Sequence, residues 1–250
     1  MALMEFLNVN LINTDTMINP ESGTDVVSSL FDNNRKITWS SVNYNANTDT
    51  TLKITFAITT PVSHVLLINH NLESCSVYRN GNSLSAVTSF LDVSNSSTYL
   101  VFSTIQASSI ELTLEGTQNG GEYSIGELII SNREVVFERN PSTENFSPTV
   151  KRMNIKHTMP DGGVVMYNIK DKFNAGLDFT FITTSFKNQL LDIYESGLPY
   201  VFVPFPTTGT QWDGNAYETL WTNDFDFKHS ENSKNQGFSG SIHLGETPSA

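Results

Sequence analysis

Apolar and polar residues alternate with a period of two through much of the first half of the chain. In Thr51-Leu52-Lys53-Ile54-Thr55-Phe56-Ala57-Ile58, every second residue is large and apolar, which lines one face of an extended strand. Pro61 is expected to stop this strand, because proline cannot donate to a central ladder. Val65-Leu66-Leu67-Ile68 is a continuous apolar run, short and β-branched enough to be a strand buried on both faces. Ser76-Val77-Tyr78 runs into Arg79-Asn80-Gly81-Asn82, where Asn-Gly suits a hairpin turn. Thr98 to Phe102, Ser109 to Glu115 and Tyr123 to Ile130 supply further strands, and Val26 to Phe31 fits one turn of helix. Short strands with regularly spaced turns predict an antiparallel sandwich over residues 1–135.

The pattern changes near residue 136. Arg139-Asn140-Pro141-Ser142-Thr143-Glu144 and Ser147-Pro148 read as a polar, turn-rich boundary, and Met159-Pro160-Asp161-Gly162-Gly163 as a hairpin or loop. Asp178 to Ile182 alternates as a strand. Thr184 or Ser185 then caps a helix near 184–196, with Phe186, Leu190, Ile193 and Tyr194 on one side and Gly197 and Pro199 closing it. Tyr200 to Phe205, Glu218 to Trp221, Asp224 to His229 and Gly237 to His243 read as later strands. The chain is therefore expected to be mainly β, with a sandwich over 1–135 and a β-rich α+β module with one helix over 136–250.

Composition narrows the functional classes. The chain has 250 residues, 26 acidic and 14 basic, for a formal charge of -12. A net acidic surface has no general hold on a phosphate backbone, so no nucleic-acid partner is expected. No apolar run approaches the ~20 residues of a membrane-spanning helix. The opening Met1-Ala2-Leu3-Met4-Glu5-Phe6 has no basic stretch ahead of an apolar one, so no signal peptide is expected. The single cysteine, Cys75, excludes an intrachain disulfide and fits a small core residue. Ser, Thr and Asn make up roughly a third of the chain, which suits surfaces that can be desolvated without burying charge.

Candidate chemistry is sparse. The five histidines, His64, His70, His157, His229 and His243, show no standard zinc spacing, and there is no nucleophile elbow or phosphate-binding glycine loop. No catalytic residue and no cofactor is expected. Asp224 and Asp226 share a strand face and read as a solvated pair rather than as opposed glycosidase carboxylates. Asp25, Asp32, Asn33 and Asn34 are weak calcium candidates, since Asx-turns use the same residues. Trp39, Arg79 and Asn82 are candidate glycan contacts, although for Trp39 a place in the core is the favoured reading. Trp212, Tyr217 and Trp221 are candidate assembly contacts, with core packing equally open for the two tryptophans.

Two stretches carry a resemblance. Ser28-Ser29-Leu30-Phe31-Asp32-Asn33-Asn34 with Trp39-Ser40, and Ile110 to Leu114 through Tyr123 to Ile130, resemble the opening and closing of a discoidin-like, galactose-binding-like jelly roll. Val65-Leu66-Leu67-Ile68-Asn69-His70-Asn71-Leu72 resembles the buried strand of sandwich domains in tailed-bacteriophage tail-tip proteins. Residues 179–227, with their strand, helix and aromatic strand, look like the β-rich module of distal-tail or baseplate proteins. The resemblance implies a non-enzymatic structural subunit of a phage tail, near the tip or baseplate. It would be made in the host cytoplasm and work in the virion tail. Its expected partners are other tail or baseplate proteins and copies of itself, as a trimer or hexamer in a ring. Carbohydrate binding by the jelly roll, as receptor recognition, is the alternative, though its rim loops lack the usual basic and aromatic display.

Overall fold

In the computed structural model of the protein, residues 2–13, 16–20, 27–35, 37–41, 50–80, 86–91, 96–117, 121–141, 146–161, 163–208, 212–231 and 236–247 are described. The chain divides into two compact units. The first takes Met1–Val136 together with Tyr200–Ala216, and the second takes Phe137–Pro199 with Tyr217–Thr247. A single cut at residue 135 cannot express this interleaving. Its cause is a ladder in which β1 (Glu5–Leu7) pairs on one side with β9 (Arg133–Val136) and on the other with β12 (Tyr200–Val203).

The first unit is an antiparallel sandwich built on two bent strands. These are β4 (Thr50–His70) and β7 (Ser97–Thr117), each 21 residues long. The early part of β4, Thr50 to Thr55, pairs with Leu114 to Ser109, and its later part, His64 to Ile68, with Val101 to Ser97. Register shifts between Thr55 and Thr60 and between Val62 and His64 let the same pair of strands serve both layers, as bulges bend a ladder. One layer adds β2 (Met17–Pro20), β5 (Leu72–Arg79) and β6 (Thr88–Leu91). The other adds β3 (Trp39–Ser40) and β8 (Ser124–Ser131).

Pro61 therefore does not end the strand. It pairs with Gln106 where β2 has already left β4 and β8 has not yet joined it. With a ladder on one side only, a missing N–H costs nothing, as at an edge.

Between the layers lie Leu52, Ile54, Val65, Leu67, Val77, Leu100, Leu112, Leu114, Leu128, Ile130 and Trp39. The alternate residues Leu66, Ile68, Tyr99 and Ile129 point the other way and pack with Leu7, Val201, Val203, Trp212 and Ala216. The Val65–Ile68 layer is thus buried on both faces, which is why its sequence reads as an unbroken apolar run.

In the second unit, β10 (Phe146–Thr158) pairs with β11 (Val164–Ile182) through a tight connection in which Met159 N donates to Gly163 O. β11 pairs on its other side with β15 (Gln236–Glu246), which also meets β13 (Tyr217–Trp221) and β14 (Lys228–Glu231). Helix α1 (Thr184–Ser196) is capped by Thr183, whose side chain accepts from Phe186 N, and ends on Gly197 at φ 61°. Its buried Phe186 sits edge-on to Phe137 and Phe179.

Two expectations change here. Ser147-Pro148, read as part of a turn-rich boundary, lies inside the strand Phe146–Thr158. Asp224 to Phe227 is not in a ladder, and the strand begins only at Lys228. This segment passes so close over Gly240 that a Cβ there would lie 2.6 Å from Asp226 O.

Trp39 is fully buried, so Trp39→Ala is expected to destabilise the chain by about 3–5 kcal/mol in urea unfolding. A loss below about 1 kcal/mol would show that the two layers do not close over it.

Candidate functional site

Most of the sequence candidates are drawn into structural work. Trp39 is 0% exposed and stands in the sandwich core, so it offers no face to a sugar. Trp212 is 3% exposed and packs on Tyr99 at 5.4 Å between ring centroids, so it is a core residue rather than an assembly contact. Tyr217 is half-buried and stacks on Phe173 at 3.8 Å. Trp221, also half-buried, lies against Tyr194 and Phe225.

Asp32 accepts from Asn34 N at 2.7 Å, an Asx-turn that occupies one of its oxygens, and Asn33 takes φ 54° in the same turn. Asp25 and Asn82 lie outside the described residues. Among the described residues no group of three or more His, Cys, Asp and Glu could hold a metal ion. Asp224 and Asp226 are both exposed, and Asp226 pairs with Lys228 at 2.9 Å.

Arg79 is the predicted contact that stays on the surface. It ends β5 beside Asn80, whose φ is 53°. The Asn80 side-chain oxygen accepts from Ser108 N at 2.9 Å, Ser108 Oγ at 3.1 Å and Ser109 N at 3.1 Å. Three donors pin the turn and so fix where Arg79 leaves the sheet.

The unit's buried polar chemistry lies in two clusters that sequence reasoning did not assemble, because their members come from distant parts of the chain. In the first, Arg35 donates to Glu127 Oε2 at 3.0 Å, to Gly214 O at 3.0 Å and to Ala216 O. It clamps the Trp212–Ala216 segment onto β8, and Glu127, only 2% exposed, supplies the balancing charge.

The second cluster surrounds Glu5, also 2% exposed. Tyr99 donates its phenol to Glu5 Oε1, and Arg133 Nε donates to Glu5 Oε2 at 2.9 Å. Burial pushes the Tyr99 phenol well above its ordinary range, with the Glu5 carboxylate adding to the effect. Arg133 Nη2 lies 3.4 Å from His64 Nε2. Arginine can only donate, so Nε2 accepts and the ring proton sits on Nδ1. That proton points at Ser63 Oγ, 2.6 Å away, while Ser63 donates onward to Asn132 Oδ1 at 3.0 Å. His64 therefore donates to Ser63 and cannot take its proton. The trio is arranged to satisfy buried groups and not to activate a nucleophile.

Beside this cluster opens a shallow pocket of about 300 Å³, lined by Leu3, Glu5, Val101, Arg133, Val136 and Thr208 among others. Its one carboxylate and one guanidinium already neutralise each other.

His70 and Cys75 are also sealed. His70 accepts Leu72 N at Nδ1, 3.2 Å, and places its Nε2–H toward Thr98 Oγ1 at 2.9 Å. The Cys75 thiol is pushed up, first by complete burial and then by Glu115, which leaves it unreactive.

In the second unit, β15 covers β11 only from Asn174 onward. Thr149–Thr158 and Val164–Phe173 therefore pair with each other alone among the described residues. This two-stranded ribbon is exposed at Lys151, Lys156, His157, Thr158, Val164 and Met166, with Val150 at 70% and Met166 at 61%.

No family model matches the chain, and no curated protein matches its sequence. Among solved structures it is similar to a family 32 carbohydrate-binding module from C. perfringens NanJ in complex with galactose. The identity is 20%, over 50% of this chain and 98% of that one, with a TM-score of 0.43. It is similar also to a chitosan-binding module from Paenibacillus sp. IK-5, at 14% identity over 50% of this chain and 99% of that one, TM-score 0.41. A pectin-binding module matches at 14% over 46% and 88%, TM-score 0.37.

Burial, reinforced by Arg133, lowers the His64 pKa to about 3 from 6.5. The unfolded chain thus binds the extra proton between those values. Stability is complete above pH 6.5 and falls on acidification by up to roughly 1.4 kcal/mol per pH unit from this group. His64→Asn is expected to flatten that part of the profile in urea unfolding from pH 7.5 to 4, and parallel profiles would show that His64 is not held neutral.

Proposed function

We propose that the chain acts by non-covalent recognition, as a structural subunit of a tail or tail-like particle near its tip or baseplate. The observation that carries this reading is the ribbon of residues 149–158 and 164–173, whose strands pair with each other alone among the described residues and which is exposed at Val150, Lys151, Lys156, His157, Val164 and Met166. A two-stranded ribbon standing alone in water is marginal, and its open backbone edges invite pairing with another chain. Such an element makes sense where a neighbouring protein covers it. The chemistry of the first unit is consistent with this: its buried Glu5, Glu127, His64 and His70 are each spent on internal partners.

Carbohydrate recognition by the sandwich is the second reading. The modules reported above are described as binding pectin, chitosan and galactose. In this chain the reading draws on Arg79, held at the surface by the pinned Asn80 turn, since a guanidinium presents several donors to sugar hydroxyls.

The two readings separate in a paired experiment. Mass spectrometry of purified tail particles is expected to find the chain at fixed stoichiometry, and a glycan array probed with the recombinant chain is expected to be blank. Absence from the particles, with glycan binding that Arg79→Ala abolishes, would replace the first reading by the second.

A further inference from the structure

We propose that the pocket beside Glu5 and Arg133 is a binding site for a small neutral acyl amide, the acetamido group common to N-acetylated sugars and acetylated peptides. The proposal goes beyond the structural-subunit reading and engages a part of the molecule that neither reading of the function uses.

All the residues lining this pocket of about 300 Å³ belong to the first unit. That volume lies at the small end of ligand pockets, so it suits a group of a few heavy atoms rather than an extended chain. Leu3, Val101, Val136 and Pro206 give it short apolar walls. Leu3 and Val136 are 40% and 37% exposed in the single chain, and an alkyl group laid against them would release water from both surfaces.

The polar side of the pocket is rich in donors. Arginine carries five N–H groups and no acceptor. In Arg133 one N–H goes to Glu5 at 2.9 Å, one nitrogen lies 3.4 Å from His64 Nε2, and the guanidinium also reaches the Tyr99 phenol. At least two N–H groups remain without a partner among the described residues, on a side chain that is 45% exposed. Glu5 does not answer them, because its oxygens already take Tyr99 and Arg133 Nε. Thr208, also on the wall, is exposed, and its hydroxyl can accept as well as donate. The pocket therefore asks for an acceptor oxygen next to a short alkyl group, with one N–H for Thr208.

Charge selects among ligands of that size. Glu5 and Arg133 cancel, and His64 is held neutral. A carboxylate would add an uncompensated negative charge beside Glu5 in a chain of net charge -12, and a cation would face the guanidinium. A neutral amide meets neither penalty. Its carbonyl accepts from Arg133, a bond to a charged donor that apolar surroundings strengthen, while its methyl packs on the aliphatic wall.

The test is a titration of the ¹⁵N-labelled full-length chain with N-methylacetamide, followed by NMR at the backbone amides of Leu3, Val101 and Val136 and at Arg133 Nε–H. Saturable shifts are expected there, with a Kd on the order of millimolar for so small a fragment. Sodium acetate and methylammonium chloride at equal ionic strength are expected to bind at least about tenfold more weakly. N-acetylglucosamine and N-acetylalanine methylamide then distinguish the sources, the tighter binder marking a sugar or a peptide, with glucose as the control for the sugar ring. Thr208→Trp, at an exposed position outside the charge cluster, is expected to weaken binding at least about tenfold with circular dichroism and thermal melting unchanged. Arg133→Lys keeps the charge facing Glu5 but loses the fork, and a comparable loss is expected. Arg79→Ala is expected to have no effect.

Absence of saturable shifts at the pocket with every acetamide, acetate binding as tightly as N-methylacetamide, or binding indifferent to Thr208→Trp would overturn the proposal. So would shifts confined to the Arg79 turn. None of these outcomes bears on whether the chain is found in tail particles, so the structural reading stands or falls separately.

Discussion

Everything in the first unit depends on one strand layer being buried twice. Val65 and Leu67 face the sandwich core while Leu66 and Ile68 face Leu7, Val201, Val203 and Trp212. A layer without a solvent face has to find cover on both sides, and the second cover comes from residues near the start of the chain and from Tyr200–Ala216. That requirement draws a segment more than sixty residues beyond the sandwich back onto it. It also explains why the buried charges lie where they do. Arg35 and Glu127 secure one end of the covering layer, and Arg133 and Glu5 secure the other.

The same constraint bears on function. His64, with Glu5, Tyr99 and Arg133, is committed to closing this double interface. Removing Arg133 would strand Glu5 as an uncompensated buried charge, so Glu5 and its partners are expected to behave as structural elements in mutational tests. Among the described residues, the surface left for recognition includes the Arg79 turn in the first unit and, in the second, the ribbon on which Lys151 stands opposite Lys172. These two features differ in charge environment and in geometry, and so would take different ligands. A fixed turn with one guanidinium suits a small polar ligand. An exposed two-stranded ribbon suits a protein surface.

Legibility in the sequence followed burial. Helix α1 was readable almost to the residue, because Phe186, Leu190 and Ile193 keep helical spacing and Gly197 closes it in a left-handed conformation. The alternation of Leu52, Ile54 and Phe56 was readable for the same reason. The strand Phe146–Thr158 was not, since Val150, Met153 and Ile155 do not keep a single period of two. Pro61 misled because proline's cost depends on whether a neighbouring strand needs its N–H, which is a property of the sheet and not of the residue.

By itself, the sequence determined the local propensities: where apolar residues repeat every two or every three to four positions, where turns and caps fall, and a net acidic charge with an internal basic stretch. Only the tertiary structure decided which residues are left to bind anything. For Trp39 and Trp212 the sequence leaves a contact and a core role both open, and the packed layers decide for the core. Lys151 and Lys172 are twenty-one positions apart until the hairpin register sets them face to face. Both outcomes arise from pairing between distant strands, whose register is fixed by the packing of whole faces and cannot be read from any one window of residues.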